Sequence, residues 1–161
     1  MNRWIVQVVG TGLVAWAVPT AAQAAATGPL ETTLEARKVA RTADGSERHA
    51  PADDPRPGDI LEYVARYRNG GTTVLRHVEA TIPIPEGTEF VPGSAKPLLE
   101  KASADGEKFG PQPLMRRVKR EGREVLEQVV PRDYRALRWT ITLDPQQAAN
   151  FSLRVRVQPK K

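Results

Sequence analysis

The chain has 161 residues, no cysteine, and a formal net charge of +5 from 24 Lys and Arg against 19 Asp and Glu. Without cysteine there is no disulfide staple, no thiol nucleophile, no cysteine-ligated zinc and no lipid attachment at an N-terminal cysteine. The basic surplus raises nucleic acid as a partner, but the cations are interleaved with glutamates, as in "MRRVKREGREVLEQ" over 115–128, and are not gathered in one block.

The N-terminus, "MNRWIVQVVGTGLVAWAVPTAAQAAATG", has the parts of a secretory leader. Arg3 supplies the positive start, Ile5 to Val18 the apolar run, Pro19 its break, and Ala22-Gln23-Ala24 the small-x-small cleavage pattern. The alternative is a membrane anchor. An apolar run this short covers about 21 Å as a helix, against a hydrocarbon core of roughly 30 Å, and Gln7, Gly10 and Gly12 interrupt it. The expectation is a signal peptide over residues 1–24, cut after Ala24 or Ala26, and one domain over 25–161 without a membrane span. That places the product outside the cytoplasm, most simply in the periplasm, with the cell surface or exterior as further possibilities. Export argues against nucleic acid.

Beyond the leader, apolar residues recur with a period of two, which predicts strands. "LETTLEARKVA" starts the first. The stretch 41–57, with Pro51, Pro55 and Pro57, reads as a proline-rich loop, because prolines deny donors to a sheet ladder. In "DILEYVARYRN", Leu61, Tyr63, Ala65 and Tyr67 share one face. Asn69-Gly70-Gly71 then reads as a tight turn of residues that accept positive φ, leading back into a strand with Val78, Ala80, Ile82 and Ile84 inward. Pro83 and Pro85 fall on the outward phase, where they end pairing while the isoleucines stay in the core. The chain is therefore expected to leave one sheet here and enter another, with Phe90 buried.

The stretch 96–112 reads as a turn-rich excursion about Asp105-Gly106. A hairpin follows, with Glu121-Gly122 at its tip and Val118 and Val125 on its arms. "YRALRWTITL" puts Leu137, Trp139, Ile141 and Leu143 inward, and "FSLRVRVQ" puts Phe151, Leu153, Val155 and Val157 inward with Arg154 and Arg156 outward. Seven or eight such strands predict an all-β, immunoglobulin-like sandwich. Its expected core includes Tyr63, Ile82, Ile84, Trp139, Ile141 and Val155, with Trp139 central.

The order Pro57-Gly58-Asp59, Tyr63, Asn69, Ile84-Pro85, Gly93-Ser94, Trp139 and Val155/Val157 resembles the bacterial conserved repeat domain called DUF11. The resemblance spans most of residues 57–158. It implies a sandwich exposed outside the cytoplasm and no catalytic residues to carry over. The family commonly forms tandem arrays, whereas here one copy follows the leader.

Catalytic chemistry finds little footing. No Gly-x-Ser-x-Gly elbow is present, and the two histidines are His49, in the proline-rich stretch, and His77, on an outward strand position. Two isolated histidines are poor evidence for zinc. Asp44, Asp53, Asp54 and Asp59 raise calcium, but they lack the spacing of a calcium loop, and turn-forming aspartates explain them equally. No glycine-rich phosphate loop occurs, so no metal, cofactor or enzymatic activity is expected. Two functional readings stay open. The first is a structural or protein-interaction module of the cell envelope, engaging an envelope protein. The second is capture of an anionic glycan or lipid headgroup by a basic face formed from Arg116, Arg117, Lys119, Arg120, Arg123, Arg135 and Arg138, if the hairpin folds onto the Trp139 strand. A solvated surface, self-paired through Glu121, Glu124 and Glu127, is the plainer account of those cations.

Overall fold

The computed structural model describes residues 29–98 and 101–159. The leader read over residues 1–24 lies outside the described residues.

Two antiparallel sheets make a β-sandwich. The first sheet runs β2 (Glu47–Pro51), β1 (Leu30–Arg41), β3 (Ile60–Asn69), β11 (Ala148–Val157), β5 (Thr88–Phe90). The second runs β4 (Leu75–Pro83), β10 (Ala136–Leu143), β6 (Lys101–Ser103), β7 (Gly110–Pro111). A separate two-stranded ribbon pairs β8 (Met115–Arg120) with β9 (Arg123–Gln128), and one turn of 3-10 helix spans Pro131–Asp133.

Period-two alternation decides which side chains meet between the sheets. Leu61, Ala65 and Tyr67 of β3, and Phe151, Leu153 and Val155 of β11, face Ala80 and Ile82 of β4 and Leu137, Trp139 and Leu143 of β10; all are buried. Trp139 is 1% exposed, lies 5.1 Å from Phe151 ring to ring, and donates its indole N–H to the carbonyls of Pro97 and Leu98. Ile84 is buried just past the end of β4 and gives its N–H to the Arg135 carbonyl. The chain then crosses to β5 in the first sheet, where Phe90 stacks on Tyr134. The prolines at Pro83 and Pro85 thus mark a change of sheet.

Tyr63 and Ile141 are only half-buried. Tyr63 pairs with Ala36 of β1, whose Thr32, Leu34 and Ala36 are exposed, so its phenol sits at the margin of the core and desolvation pushes its pKa above the usual value. At Ile141 the ladder with β4 slips by a residue before Leu143. Across from that bulge His77 takes φ 55°, a left-handed conformation that histidine tolerates better than most residues.

The phenol of Tyr67 reaches across from β3 to β4, accepting from the Thr81 N–H at 3.0 Å and donating to the Thr81 carbonyl at 3.2 Å. β4 is an outer strand of its sheet.

Three readings of the sequence are corrected. The 41–57 stretch contains a strand: β2 folds back on β1 through a turn held by Thr42, Asp44 and Ser46, so His49 lies on a strand and not in a loop. All five β2 residues are exposed, so no apolar alternation advertised it. The 96–112 excursion likewise holds β6 and β7, two or three residues each, too short to show a period.

The third correction concerns Asn69-Gly70-Gly71. β3 and β4 belong to opposite sheets, so these residues begin a crossover between layers and not a two-strand hairpin. None of the three has a positive φ. Close approach is the reason at Gly71, where a Cβ would stand 2.8 Å from Pro29 Cβ; a Cβ on Gly70 would meet chiefly the movable carboxylate of Glu31. Asn69 is fully buried, donating Nδ2 to the carbonyls of Thr73 (2.7 Å) and Leu143 (3.0 Å) and accepting from the Gly71 N–H.

Candidate functional site

The β8–β9 ribbon pairs with neither sheet. Its tip, Glu121 at φ 52° and Gly122 at φ 80°, has the two positive φ values of a type I′ turn, which suits the right-handed twist of a two-residue hairpin. At its root Val129 is buried and bonds to the Leu114 carbonyl, and Leu114 packs on the core. A cleft of about 360 Å3 beside the root is lined by Phe90, Pro92, Gln112, Pro113, Gln128 and Tyr134, among others.

Cross-strand partners project to the same side of a ribbon, so the register sorts the side chains into two faces. One carries Arg116, Arg120, Arg123, Val118, Val125 and Glu127; the other carries Arg117, Lys119, Glu124, Met115, Leu126 and Gln128. The five hairpin cations are therefore divided, three against two. Most are paired within the ribbon. Glu127 accepts from Arg120 at 2.7 Å and Arg116 at 3.2 Å, which holds its carboxyl below the ordinary range. Arg116 also lies 3.7 Å from Asp133, and Arg117 lies 3.8 Å from Glu124. Lys119 and Arg123 form no ion pair among the described residues. Each face carries two apolar residues, but those of the second are the more exposed: Leu126 is 66% and Met115 46% exposed, against 39% for Val125 on the first.

Arg135 and Arg138 lie elsewhere. Arg135 donates to the carbonyls of Arg132 and Tyr134. On the outer face of the second sheet, Arg138 pairs with Glu79 at 2.7 Å, donates to Thr81 Oγ1 and stacks 3.6 Å over the Phe109 ring. The ribbon does not pair with β10, and the seven cations singled out from sequence share no single face.

Sequence reasoning passed over the outer face of the first sheet. There Arg154 of β11 grips both oxygens of Glu47 at 2.7 and 2.6 Å and reaches Glu62 at 3.2 Å. The Glu47 hydrogen bonds, with help from Glu62, push the arginine's pKa upward. His49 Nδ1 lies 3.6 Å from Glu62. The outward phase of Arg154 was legible; its partner, 107 residues away, was not.

Of the four aspartates considered for calcium, Asp44 and Asp59 hold turns. Asp44 accepts from Thr42 Oγ1 and from the Ser46 N–H and hydroxyl, which depress its pKa to about 2. Asp59 Oδ2 pairs with Lys38 at 2.7 Å and accepts from the Arg56 N–H. Between β6 and β7, Asp105 accepts from the N–H groups of Lys108 and Glu107 and from the Ser103 hydroxyl, and its pKa falls to about 2. A carboxyl lowered by folding stabilises the native state fully above its unfolded value, near ~4, and that contribution is lost as pH falls through the folded pKa. Calorimetry of Asp105→Asn against the parent chain is expected to show a melting-temperature deficit at pH 6 that narrows between pH 4 and pH 2. A deficit constant over that window would contradict the turn's role.

Comparison of the chain with protein-family models, curated proteins and solved structures finds no match.

Proposed function

We propose that this protein is an exported, non-catalytic protein-interaction module of the bacterial cell envelope, with the β8–β9 ribbon as its docking arm. Export rests on the leader pattern of residues 1–24, and the DUF11-like motif order supports an extracytoplasmic role. One observation carries the reading: a two-stranded ribbon off the sandwich displays Leu126 and Met115 in solvent, where an isolated hairpin gains nothing from exposing them. A partner strand or surface that covers this face removes that apolar area from water. The anionic-glycan reading loses support because Arg116, Arg117 and Arg120 already have carboxylate partners.

The test is site-specific photocrosslinking in the host, with the reactive residue at position 126 of the full chain and, as control, at exposed Thr142 on β10. One reproducible protein adduct is expected from position 126 and none from 142, with the yield unchanged at high salt. A Met115→Asp variant should lower it at least tenfold while thermal unfolding stays unchanged. Equal labelling at both positions, or retention only on anionic glycan that washes off with salt, would overturn the docking arm.

A further inference from the structure

The outer face of the first sheet carries a cleft lined by no residue of the ribbon. Its volume of about 380 Å3 is within the range of small-molecule sites, and it is bordered by the end of β1, the start of β2, the residue after β5, and β11. Val39, Ile60 and Val91 give it an apolar part, and Arg41, Arg154, Arg156 and Glu47 line the remainder. Its rim is built: the 42–46 turn that follows Arg41 is closed by the Asp44 carboxylate and by Thr42 N–H to the Ser46 carbonyl at 2.9 Å.

The three guanidinium groups are not equivalent. Arg154 is committed to Glu47 and Glu62. Arg41 and Arg156 form no ion pair or side-chain hydrogen bond among the described residues, although Arg41 lies close enough to Glu47 to help lower its pKa. Glu89 is the β5 residue opposite Arg156, but its carboxylate accepts from Gln158 Nε2 at 2.9 Å. Arg41 and Arg156 thus present forked donors beside apolar side chains, and Glu47, the one acid lining the cleft, is taken by Arg154. A guanidinium fork fits a carboxylate or phosphate, and the apolar part favours a ligand with a short hydrocarbon body.

We propose that this cleft binds a small amphiphilic oxyanion, its head on Arg41 and Arg156 and its apolar body against Val39, Ile60 and Val91. Carboxylate and phosphate heads share this recognition, so the probes separate them.

The experiment titrates the full chain with hexanoate and with hexyl phosphate, following valine and isoleucine methyl resonances by NMR. Acetate and inorganic phosphate serve as heads without a body, and hexanol as a body without a head. Saturable shifts at Val39, Ile60 and Val91 are expected with at least one of the two amphiphiles, which one identifying the head group. Binding should weaken about tenfold or more in the Arg41→Gln/Arg156→Gln double variant, as loss of charge-assisted hydrogen bonds requires. Val91→Asp, which keeps both arginines, provides a second variant should the first fold poorly, and it should abolish the shifts. Head groups or hexanol alone binding as tightly as the amphiphiles, an affinity indifferent to both variants, or no saturable shift would overturn the proposal.

Discussion

Trp139→Ala is expected to destabilise the domain by about 3–5 kcal/mol, the range for truncating a large buried aromatic. The indole lies between the sheets at 1% exposure, packs against Phe151, and is the donor for two backbone carbonyls at Pro97 and Leu98. Truncation opens a cavity and removes that donor at once. Against a typical domain stability of about 5–15 kcal/mol, the loss takes a large share of the total. Trp139→Phe separates the contributions: it keeps most of the packing, loses the N–H, and should cost about 1–3 kcal/mol. Urea unfolding followed by circular dichroism measures both. An alanine variant within 1 kcal/mol of the parent would place the centre of the core elsewhere.

Asn69→Ala is expected to cost about 2–4 kcal/mol through a different mechanism, the stranding of buried polar groups. The Asn69 amide is the donor to the Thr73 and Leu143 carbonyls and the acceptor for the Gly71 N–H, so one side chain joins the end of β3, the crossover and the end of β10. Its backbone is engaged as well, with N–H to the Gln147 carbonyl and C=O to the Gln146 N–H. Asn69→Asp should be at least as damaging at neutral pH, since a carboxylate would face two carbonyl oxygens in a buried site. A thermal melt of both variants checks this. Parent-like stability of Asn69→Asp would show that the amide donor is dispensable.

The parts of the fold that were legible in sequence are those where one face of a strand is buried. Ile82 and Ile84 alternating with Pro83 and Pro85 announced a strand that leaves its sheet, and the chain does pass from the second sheet to the first there. The Trp139 and Phe151 strands were legible by the same rule. β2 was hidden because both of its faces meet solvent. Asn69-Gly70-Gly71 was misleading for a more general reason: glycine is required both for positive φ and for close approach of other atoms, and composition does not tell the two apart. The basic residues of 115–128 show a related limit. Strand alternation alone divides them between two faces, but Glu127 holding both Arg116 and Arg120 depends on side-chain reach across the ribbon. The arginine cleft depends on β2 folding back, so its residues, far apart in sequence, gave no local signal.

The Tyr67–Thr81 contact has a consequence for how the protein behaves in a crowded compartment. An outer strand with free N–H and C=O groups is a template on which another copy can add, the first step toward an aggregate. At Thr81 a single phenolic hydroxyl from the opposite sheet occupies both groups. The same ring packs edge-on against Phe151 in the core, with centroids 5.8 Å apart. Protection of that strand is therefore tied to the packing of the interior: a substitution that displaces the Tyr67 ring takes the hydroxyl away from Thr81 and reopens that position to another copy.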